Sequence, residues 1–257
     1  MTTYSDYDPF ASIYNKYWGD DFTPRVFPIL EQMVLRQLPT GAPILDLCCG
    51  TGQLAGTLTA LGYRVTGLDG SPEMLKFAHE NAPDAEFIKA DARTFELPEQ
   101  YDAVVSVFDS LNHVMSLEEL TAVFRNVFAV LRESGYFFFD LNMEAGYGLT
   151  WNDNFGIVED DHLCIVRTSY DPDEKVARFD TTIMLLEDDW KRKDITLFQK
   201  CYPAAEVISA LENAGFVSID SYSHHEREGL TGLTGDADRG FFICRKSSSG
   251  SPHTKST

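Results

Sequence analysis

Apolar and polar positions between residues 42 and 142 alternate between short β runs and helical periods, with turn residues between them. This alternation is typical of a parallel sheet that is covered by helices. Two of the helices have clear start signals, because Ser71 precedes Pro72 and Ser116 stands three residues before Glu119. The predicted strands are 43–49, 64–69, 86–91, 101–108 and 135–141.

The pattern changes between residues 146 and 201, where apolar and polar positions alternate strictly between acidic turns. Such alternation predicts an antiparallel β insertion. After it, residues 203–214 predict a helix that begins with proline, and strands near 216–222 and 240–245 complete the sheet. Residues 247–257 are mostly Ser, Gly, Pro, Thr and Lys and predict a disordered tail.

The composition is that of a globular protein, with 44% hydrophobic and 24% charged residues among 257. The formal charge is -19, from 21 Lys and Arg against 40 Asp and Glu, so we expect neither nucleic acid nor a membrane surface as a partner. No apolar stretch approaches the roughly 20 residues that span a bilayer, and the first residues lack a basic region followed by an apolar one. We therefore expect a cytoplasmic protein. The five cysteines include the adjacent Cys48 and Cys49, form no C-x-x-C pair, and indicate neither a disulfide framework nor a zinc ribbon.

A glycine turn follows the first predicted strand, and Gly50-x-Gly52-x-x-Ala55 formally matches a dinucleotide fingerprint. Asp46 stands four residues before Gly50, where its carboxylate would face the bound group. A pyrophosphate would meet a negative charge there. S-adenosylmethionine instead brings an ammonium and a sulfonium, so the charge favours this methyl donor over NAD.

Acidic residues also end the next two strands. Asp69 is placed to accept both ribose hydroxyls of either cofactor, and Asp91, followed by Ala92, is placed to meet an adenine amino group. Met74 could pack on the adenine ring. None of the eleven tyrosines has Lys four residues later, so the Tyr-x-x-x-Lys pair of short-chain dehydrogenases is absent. Each feature alone could be only a tight turn or a solvated acid, but their order along the chain favours a cofactor site.

These residues give the block 44–142 a resemblance to class I S-adenosylmethionine-dependent methyltransferases. The resemblance rests on Leu45-Asp46-Leu47-Cys48-Cys49-Gly50-Thr51-Gly52, on Leu68-Asp69, and on Ser71-Pro72-Glu73-Met74-Leu75. It implies an α/β fold with a Rossmann-like, doubly wound sheet of seven strands in the order 3-2-1-4-5-7-6, with strand 7 antiparallel. More loosely, Tyr14 to Arg25, Asp109 to His113 and the insertion are similar to glycine N-methyltransferase and aminosugar N,N-dimethyltransferases. By this resemblance Arg25 would pair with the carboxylate of the methionine moiety.

The N-terminal residues predict a helix from Asp8-Pro9 to near Gly19, with an aromatic stripe on one face. Core packing explains such a stripe, and so does a lid whose aromatic rings face a sulfonium. The predicted cofactor-binding set is Tyr14, Trp18, Arg25, Asp46, Cys48, Gly50, Gly52, Asp69, Gly70, Met74, Asp91, Ala92 and Phe108.

The loop after the fourth strand faces the methyl group in this fold, and it contains His113. His113 is the first candidate for positioning or deprotonating the acceptor, with Tyr14 and Tyr17 as further candidates; the other interpretation is a histidine satisfied near a helix start. The loop lacks the Pro-Pro-aromatic sequence of methyltransferases that act on base or glutamine amino groups. Adjacent His224 and His225 would point to opposite faces of a strand, so no metal site is predicted.

The sequence thus predicts five parts, namely an N-terminal helical lid (1–40), a cofactor-binding core (41–145), the β insertion (146–201), the completion of the core sheet (202–246) and the tail (247–257). The predicted activity is methyl transfer from S-adenosylmethionine to a nitrogen, or less favourably an oxygen, of a small molecule. Two alternatives remain open at this point. One is an aminopropyl-type transferase, which would need a diacid pocket; the other is a non-catalytic binding module whose insertion forms a homodimer surface.

Overall fold

Seven α-helices and twelve β-strands make up the part of the chain that the computed structural model describes, residues 6–225 and 229–247. The first half contains α1 (Ala11–Tyr17), α2 (Gly19–Met33), β1 (Pro43–Leu47), α3 (Gln53–Ala60), β2 (Arg64–Asp69), α4 (Pro72–Asn81), β3 (Glu86–Lys89), β4 (Tyr101–Ser106), α5 (Leu117–Val130) and β5 (Leu131–Asn142). The second half contains α6 (Glu144–Thr150), β6 (Asn154–Val158), β7 (His162–Asp171), β8 (Val176–Leu186), β9 (Trp190–Lys200), α7 (Ala204–Ala214), β10 (Phe216–His225), β11 (Gly229–Gly232) and β12 (Arg239–Lys246). All but the first residue of the predicted tail lies outside the described residues.

The central sheet has the strand order β3-β2-β1-β4-β5-β12-β10-β11. Strands β1 to β5 pair in parallel, and β12 is antiparallel to both β5 and β10. The predicted order 3-2-1-4-5-7-6 with an antiparallel seventh strand is therefore confirmed. The expectation of seven strands was wrong by one, because β11 adds an edge strand that pairs with β10. Its sequence, Gly-Leu-Thr-Gly, has too little apolar alternation to predict a strand.

The predicted antiparallel insertion is confirmed as a separate sheet with the order β6-β7-β8-β9. Its inner face packs against the N-terminal segment, where Phe10 and Ile13 form a buried cluster with Cys164, Val166 and Ile183. Part of the aromatic stripe is therefore packed in the core, as the core-packing interpretation of the stripe predicts.

The N-terminal prediction needs one correction. The helical segment does not end near Gly19. A second helix, α2, begins at that residue and continues to Met33. Pro24 and Pro28 lie inside α2, and interior prolines normally indicate a helix break. Val26, Ile29 and Leu30 of α2 pack on one face of the central sheet, and this burial stabilises the helix despite the prolines.

Three strands, β1, β3 and β4, end earlier than predicted, and for β1 and β4 the backbone conformation gives the reason. Cys48 and Phe108 have φ angles of 61° and 65°, which extended strands do not adopt. Both residues therefore turn the chain just beyond β1 and β4, at the edge of the sheet where ligands bind in this type of fold. Within residues 6–225 and 229–247 no helix is both long enough and apolar enough to cross a bilayer.

Candidate active site

A cleft of about 820 Å³ opens where β1, β2, β4 and β5 end, and α1 and the antiparallel sheet supply its other walls. Ten of the predicted site residues line it, namely Tyr14, Trp18, Arg25, Cys48, Gly50, Asp69, Gly70, Met74, Phe108 and His113. Asp46 lines a small adjoining pocket together with Tyr14 and Cys48. The fold thus brings most of the predicted set to one place.

Asp69 holds the two loops at the donor end of the cleft. Its carboxylate accepts hydrogen bonds from the backbone N–H of Gly50 at 2.9 Å and of Ser71 at 2.8 Å. Burial raises the pKa of Asp69. Each carboxylate oxygen has a second lone pair, so Asp69 keeps the capacity to accept two hydroxyl groups of a ribose.

Asp46 is a buried carboxylate whose charge is not compensated. It is 2% exposed, and no group in the described ranges donates a hydrogen bond to its Oδ2. Burial and the nearby Asp69 carboxylate raise the pKa of Asp46 to about 7. A buried carboxylate of this kind is stabilised by a cationic group, and a diphosphate would be repelled.

The glycine turn leaves room for a ligand beside Asp46. Gly50 has a φ of 54°, and a Cβ added there would find only the Tyr14 ring, at 3.8 Å. Together with the orphaned oxygen of Asp46, this opening fits S-adenosylmethionine, which presents an ammonium and no phosphate.

Besides Asp46, three predicted cofactor residues do not line the cleft. Gly52 is buried, and a Cβ there would lie 2.8 Å from the Cα of Ala78, so this glycine allows α3 to approach α4 closely. The exposed carboxylate of Asp91 pairs with Arg93 at 2.7 Å, which lowers the pKa of Asp91. Ala92 packs in the core.

Two further predicted residues have partners within the protein. Arg25 lines the mouth of the cleft, but its guanidinium forms an exposed ion pair with Asp21 at 2.6 Å. Tyr17 faces the antiparallel sheet, and its hydroxyl lies 2.6 Å from Nε2 of His162. Asp161 lies 2.5 Å from the other ring nitrogen of His162. Tyr17 therefore joins α1 to β7 and does not line the cleft.

His113 lies in the cleft with both ring nitrogens engaged. Its Nδ1 is 2.8 Å from the carbonyl oxygen of Phe198, so Nδ1 carries the proton and Nε2 is an acceptor. The Tyr7 hydroxyl lies 2.8 Å from Nε2, and the Gln199 amide nitrogen lies 3.2 Å from it. Burial lowers the pKa of His113, so the imidazole is neutral at physiological pH.

A group of charged residues at the β4–β5–β12 side of the cleft was not predicted. The Arg239 guanidinium lies between Asp109, at 2.8 Å, and Asp140, with which it also forms an ion pair. Gln199 donates to Asp109 at 2.6 Å, and its carbonyl oxygen accepts from the Tyr147 hydroxyl at 2.8 Å. One feature of the sequence could have indicated Asp140, because this acid interrupts the apolar run 136–141.

The backbone around the cleft is strained. Asp109, like Cys48 and Phe108, has a positive φ, and these three line the cleft. Each such conformation costs about 1–3 kcal/mol, and strain of this kind is concentrated at functional sites. The described part of the chain shows no group of His, Cys, Asp and Glu suited to a metal ion.

Aromatic rings of the N-terminal segment line the cleft. Tyr7 and Tyr14 meet edge to face at 6.4 Å between centroids, and Phe10 lies 5.1 Å from Trp18. Burial and nearby carboxylates raise the pKa of Tyr14, so its hydroxyl stays protonated. Aromatic faces beside carboxylates suit a cationic ligand.

Comparison with known proteins is consistent with this geometry. A family model described as a methyltransferase domain matches residues 44–135. The "Putative methyltransferase YqeM" of Bacillus subtilis (strain 168) is 30% identical over 220 residues, which cover 82% of this chain and 86% of that protein.

Two solved structures show the same fold. An S-adenosylmethionine-dependent methyltransferase from Clostridium acetobutylicum ATCC 824 has a TM-score of 0.76 at 21% identity, and the alignment covers 95% of this chain and 100% of that one. CalS10, an amino pentose methyltransferase from Micromonospora echinaspora solved with S-adenosylmethionine bound, has a TM-score of 0.68 at 20% identity, with 92% and 97% covered.

Proposed function

The chain belongs to the S-adenosylmethionine-dependent methyltransferases, and we propose that it transfers the methyl group to the nitrogen of a small amine. The observation that carries this proposal is the charge of the cleft. Asp109 and Asp140 face a single guanidinium, that of Arg239, and aromatic rings line the same cleft. A cationic amine is attracted to such a site, and the amino pentose substrate class of CalS10 agrees with this choice.

The state of His113 favours nitrogen over oxygen as the acceptor atom. A hydroxyl acceptor needs a base during the transfer itself, whereas an ammonium needs only to lose its proton beforehand, which leaves a neutral amine with a free lone pair. Nε2 of His113 receives the Tyr7 hydroxyl and the Gln199 amide, and burial lowers its pKa, so it is a weak base. A reaction that places little demand on a base suits this site.

Bound S-adenosylmethionine supplies an electrophilic methyl carbon on a sulfonium. The amine lone pair forms the new C–N bond as the C–S bond breaks and its electrons return to sulfur, which leaves S-adenosylhomocysteine and a methylated ammonium. In our proposal Asp46 and Asp69 hold the donor, the Tyr7 and Tyr14 rings face the reacting centre, and His113 orients the Tyr7 hydroxyl toward the acceptor. The acceptor binds as an ammonium and loses one proton before the transfer, for which the Tyr7–His113 pair is the nearest path, and the methylated product keeps the positive charge. Holding the two reactants close and in line supplies most of the rate enhancement.

We also propose that, within the predicted lid 1–40, residues 6–18 act as the lid while α2 packs on the central sheet, with the other four parts divided as the sequence predicts. Asp8 of this segment reaches Ser71, whose hydroxyl donates to the Asp8 carboxylate at 2.5 Å, and Asn15 accepts from Gln53 and Asn81. The five cysteines are unpaired, which supports our placement of the protein in the cytoplasm.

The test is to incubate the protein with S-adenosylmethionine and matched panels of amines, hydroxylated compounds and keto acids, and to measure S-adenosylhomocysteine and the methylated product. We expect amines to be methylated and the other panels to be inert. Methylation confined to hydroxyl groups would overturn the choice of nitrogen. Binding of S-adenosylmethionine with no product from any panel would favour the non-catalytic module.

A further inference from the structure

The acceptor side of the cleft contains a charge imbalance, formed by Asp109, Asp140 and Arg239; we call these three residues the acidic cluster. Asp109 follows β4, Asp140 lies near the end of β5, and Arg239 begins β12. One terminal nitrogen of the Arg239 guanidinium donates to Asp140, and the other donates to Asp109. Two carboxylates therefore share one positive charge in a largely buried place.

Asp140 has an oxygen that the cluster does not satisfy. This residue is 1% exposed and lines the cleft, and its Oδ2 contacts Arg239 and the backbone N–H of Asp109. No donor in residues 6–225 or 229–247 reaches its Oδ1. Burial raises the pKa of Asp140 even though Arg239 acts in the opposite direction. A buried, unpaired carboxylate oxygen at the wall of a ligand cleft is a site for a hydrogen-bond donor with positive charge.

We propose that the acceptor carries a second amino group, whose ammonium donates to Oδ1 of Asp140 while the first amine receives the methyl group. The substrate class is then a short diamine. This inference rests on the proposed function, because it assigns the part of the same cleft that recognises the acceptor.

We take the spacing of the strands as the scale for the distance between the two nitrogens. In our proposal the loop after β4 faces the transferred methyl group, and Asp140 lies on the neighbouring strand β5. Adjacent strands are about 4.8 Å apart, and we propose a separation of roughly one strand spacing between the two nitrogens. A diamine with three or four carbons between its nitrogens spans that distance.

The experiment compares three probes by calorimetry in the presence of S-adenosylhomocysteine, namely 1,3-diaminopropane, propylamine and 3-aminopropan-1-ol. We expect the wild type to bind the diamine at least tenfold more tightly than either of the other two. Asp140→Asn should lose this preference, because diamine binding should weaken by a larger factor than propylamine binding. The matched control is Asp102→Asn, which breaks an aspartate–arginine pair outside the cleft, with Arg132 at 3.0 Å, and should retain the preference.

Each outcome has a distinct meaning. Equal binding of the three probes by the wild type, or an Asp140→Asn variant that keeps the preference, would overturn the inference. If thermal unfolding shows that Asp140→Asn does not fold, the test becomes the binding of diamines with two to six carbons between their nitrogens to the wild type. An affinity optimum outside three or four carbons would contradict the proposal. If the protein methylates amines but shows no preference for a second nitrogen, only this inference is contradicted. If it methylates no amine, the proposed function is contradicted.

Discussion

The Tyr7 hydroxyl lies 2.8 Å from Nε2 of His113, and the two residues are 106 positions apart in the sequence. The Tyr7 ring also meets the imidazole edge to face at 5.2 Å. Because Nδ1 of His113 is held by the carbonyl oxygen of Phe198, the imidazole is clamped between the N-terminal segment and β9. In our proposal His113 acts together with the Tyr7 hydroxyl that its Nε2 contacts.

We expect His113→Ala to lower kcat by about 10² to 10⁴-fold if the imidazole takes the proton of the acceptor, with little change in cofactor affinity. The lowered pKa of His113 also predicts the direction of the pH dependence. Only the neutral imidazole can accept a proton, so kcat/KM of the wild type should rise with pH through a limb that lies below about 6.5. The variant should lack that limb. The pH profile is measured by steady-state kinetics.

Tyr7→Phe is the matched variant, because it removes only the hydroxyl that contacts Nε2 of His113. If the two residues act as one unit, both variants and the double variant should lose similar factors. Wild-type turnover in His113→Ala would contradict the catalytic role. Loss of cofactor binding and stability together would indicate a structural one. A loss below about tenfold with a raised KM would leave His113 as a positioning residue.

Asp69 and Asp91 give a paired prediction for the cofactor. Asp69→Ala should weaken S-adenosylmethionine binding by at least about tenfold, since each charge-assisted hydrogen bond to a carboxylate contributes about 1.5–3 kcal/mol. Asp91→Ala should have little effect, because Asp91 is exposed and pairs with Arg93 outside the cleft. Calorimetry on both variants tests this. Equal losses would restore Asp91 to the adenine site, and unchanged affinity in folded Asp69→Ala would contradict the cofactor assignment.

Asp46→Asn should stabilise the protein without cofactor at alkaline pH. The pKa of Asp46 is about 7 in the folded state against an ordinary 3.8, so the native state keeps a proton that the unfolded state releases. Stability is therefore lost as pH rises through that window. Asparagine does not ionise, so its advantage should be largest at pH 8 and should vanish toward pH 4.

Calorimetric unfolding of both proteins at pH 4.5, 6 and 8 measures the advantage. The same substitution should weaken S-adenosylmethionine binding at pH 8, where the carboxylate is ionised. If the variant is instead less stable than the wild type at pH 8, interactions of the ionised Asp46 carboxylate, such as its hydrogen bond with the Ala55 backbone N–H, outweigh the cost of its burial.

Local patterns were sufficient to predict which residues meet at the ends of β1 and β2. Asp46 lies near the end of β1, Gly50 follows β1 and Asp69 ends β2, and these strands are recognisable from five or six residues. The parallel topology brings their ends together. The acceptor half has no such local signature. Arg239 meets Asp140 and Asp109 across 99 and 130 residues, and these partners become neighbours only when β12 inserts beside β5.

Position at a strand end was not sufficient for Asp91. Its partner Arg93 is only two residues away, and the ion pair turns the carboxylate to the surface. The sequence also gave no indication that Gly52 serves helix packing, because its contact with Ala78 depends on how α3 and α4 cross.

Tyr17→Phe should lower turnover less than threefold and reduce the free energy of unfolding by about 1 kcal/mol. The substitution keeps the ring contacts with Trp18 and His162 and removes only the hydrogen bond to Nε2 of His162. Turnover and thermal unfolding are measured on the same preparation. A loss of turnover beyond about 100-fold in a stable variant would return Tyr17 to the catalytic group.

Deletion of residues 1–18 should abolish turnover, because Tyr7, Tyr14 and Trp18 line the cleft. The central sheet should stay folded, since its two faces are covered mainly by α2, α3, α5 and α7. The deletion also uncovers Cys164, Val166 and Ile183 on the antiparallel sheet. We therefore expect added binding of a hydrophobic dye with retained circular dichroism of the core. Complete unfolding would show that the segment is structural.

The two glycines of the turn separate packing from ligand binding. Both have positive φ, 54° at Gly50 and 83° at Gly52, so alanine carries backbone strain at either position. An added Cβ at Gly52 would lie 2.8 Å from the Cα of Ala78, whereas at Gly50 it meets only the Tyr14 ring at 3.8 Å. Gly52→Ala should therefore be the less stable variant, by at least about 2 kcal/mol, which for a chain of this size lowers Tm by roughly 4–8 °C.

S-adenosylmethionine affinity should show the opposite order. Gly50 lines the cleft and Gly52 does not, so Gly50→Ala narrows the space beside Tyr14 and should weaken binding more than tenfold. Gly52→Ala, measured well below its Tm, should bind within about threefold of wild type, because the clash moves α3 against α4 and adds no atom to the cleft wall. A Gly52→Ala variant of wild-type stability that has lost cofactor affinity would mean that this glycine contacts the donor directly.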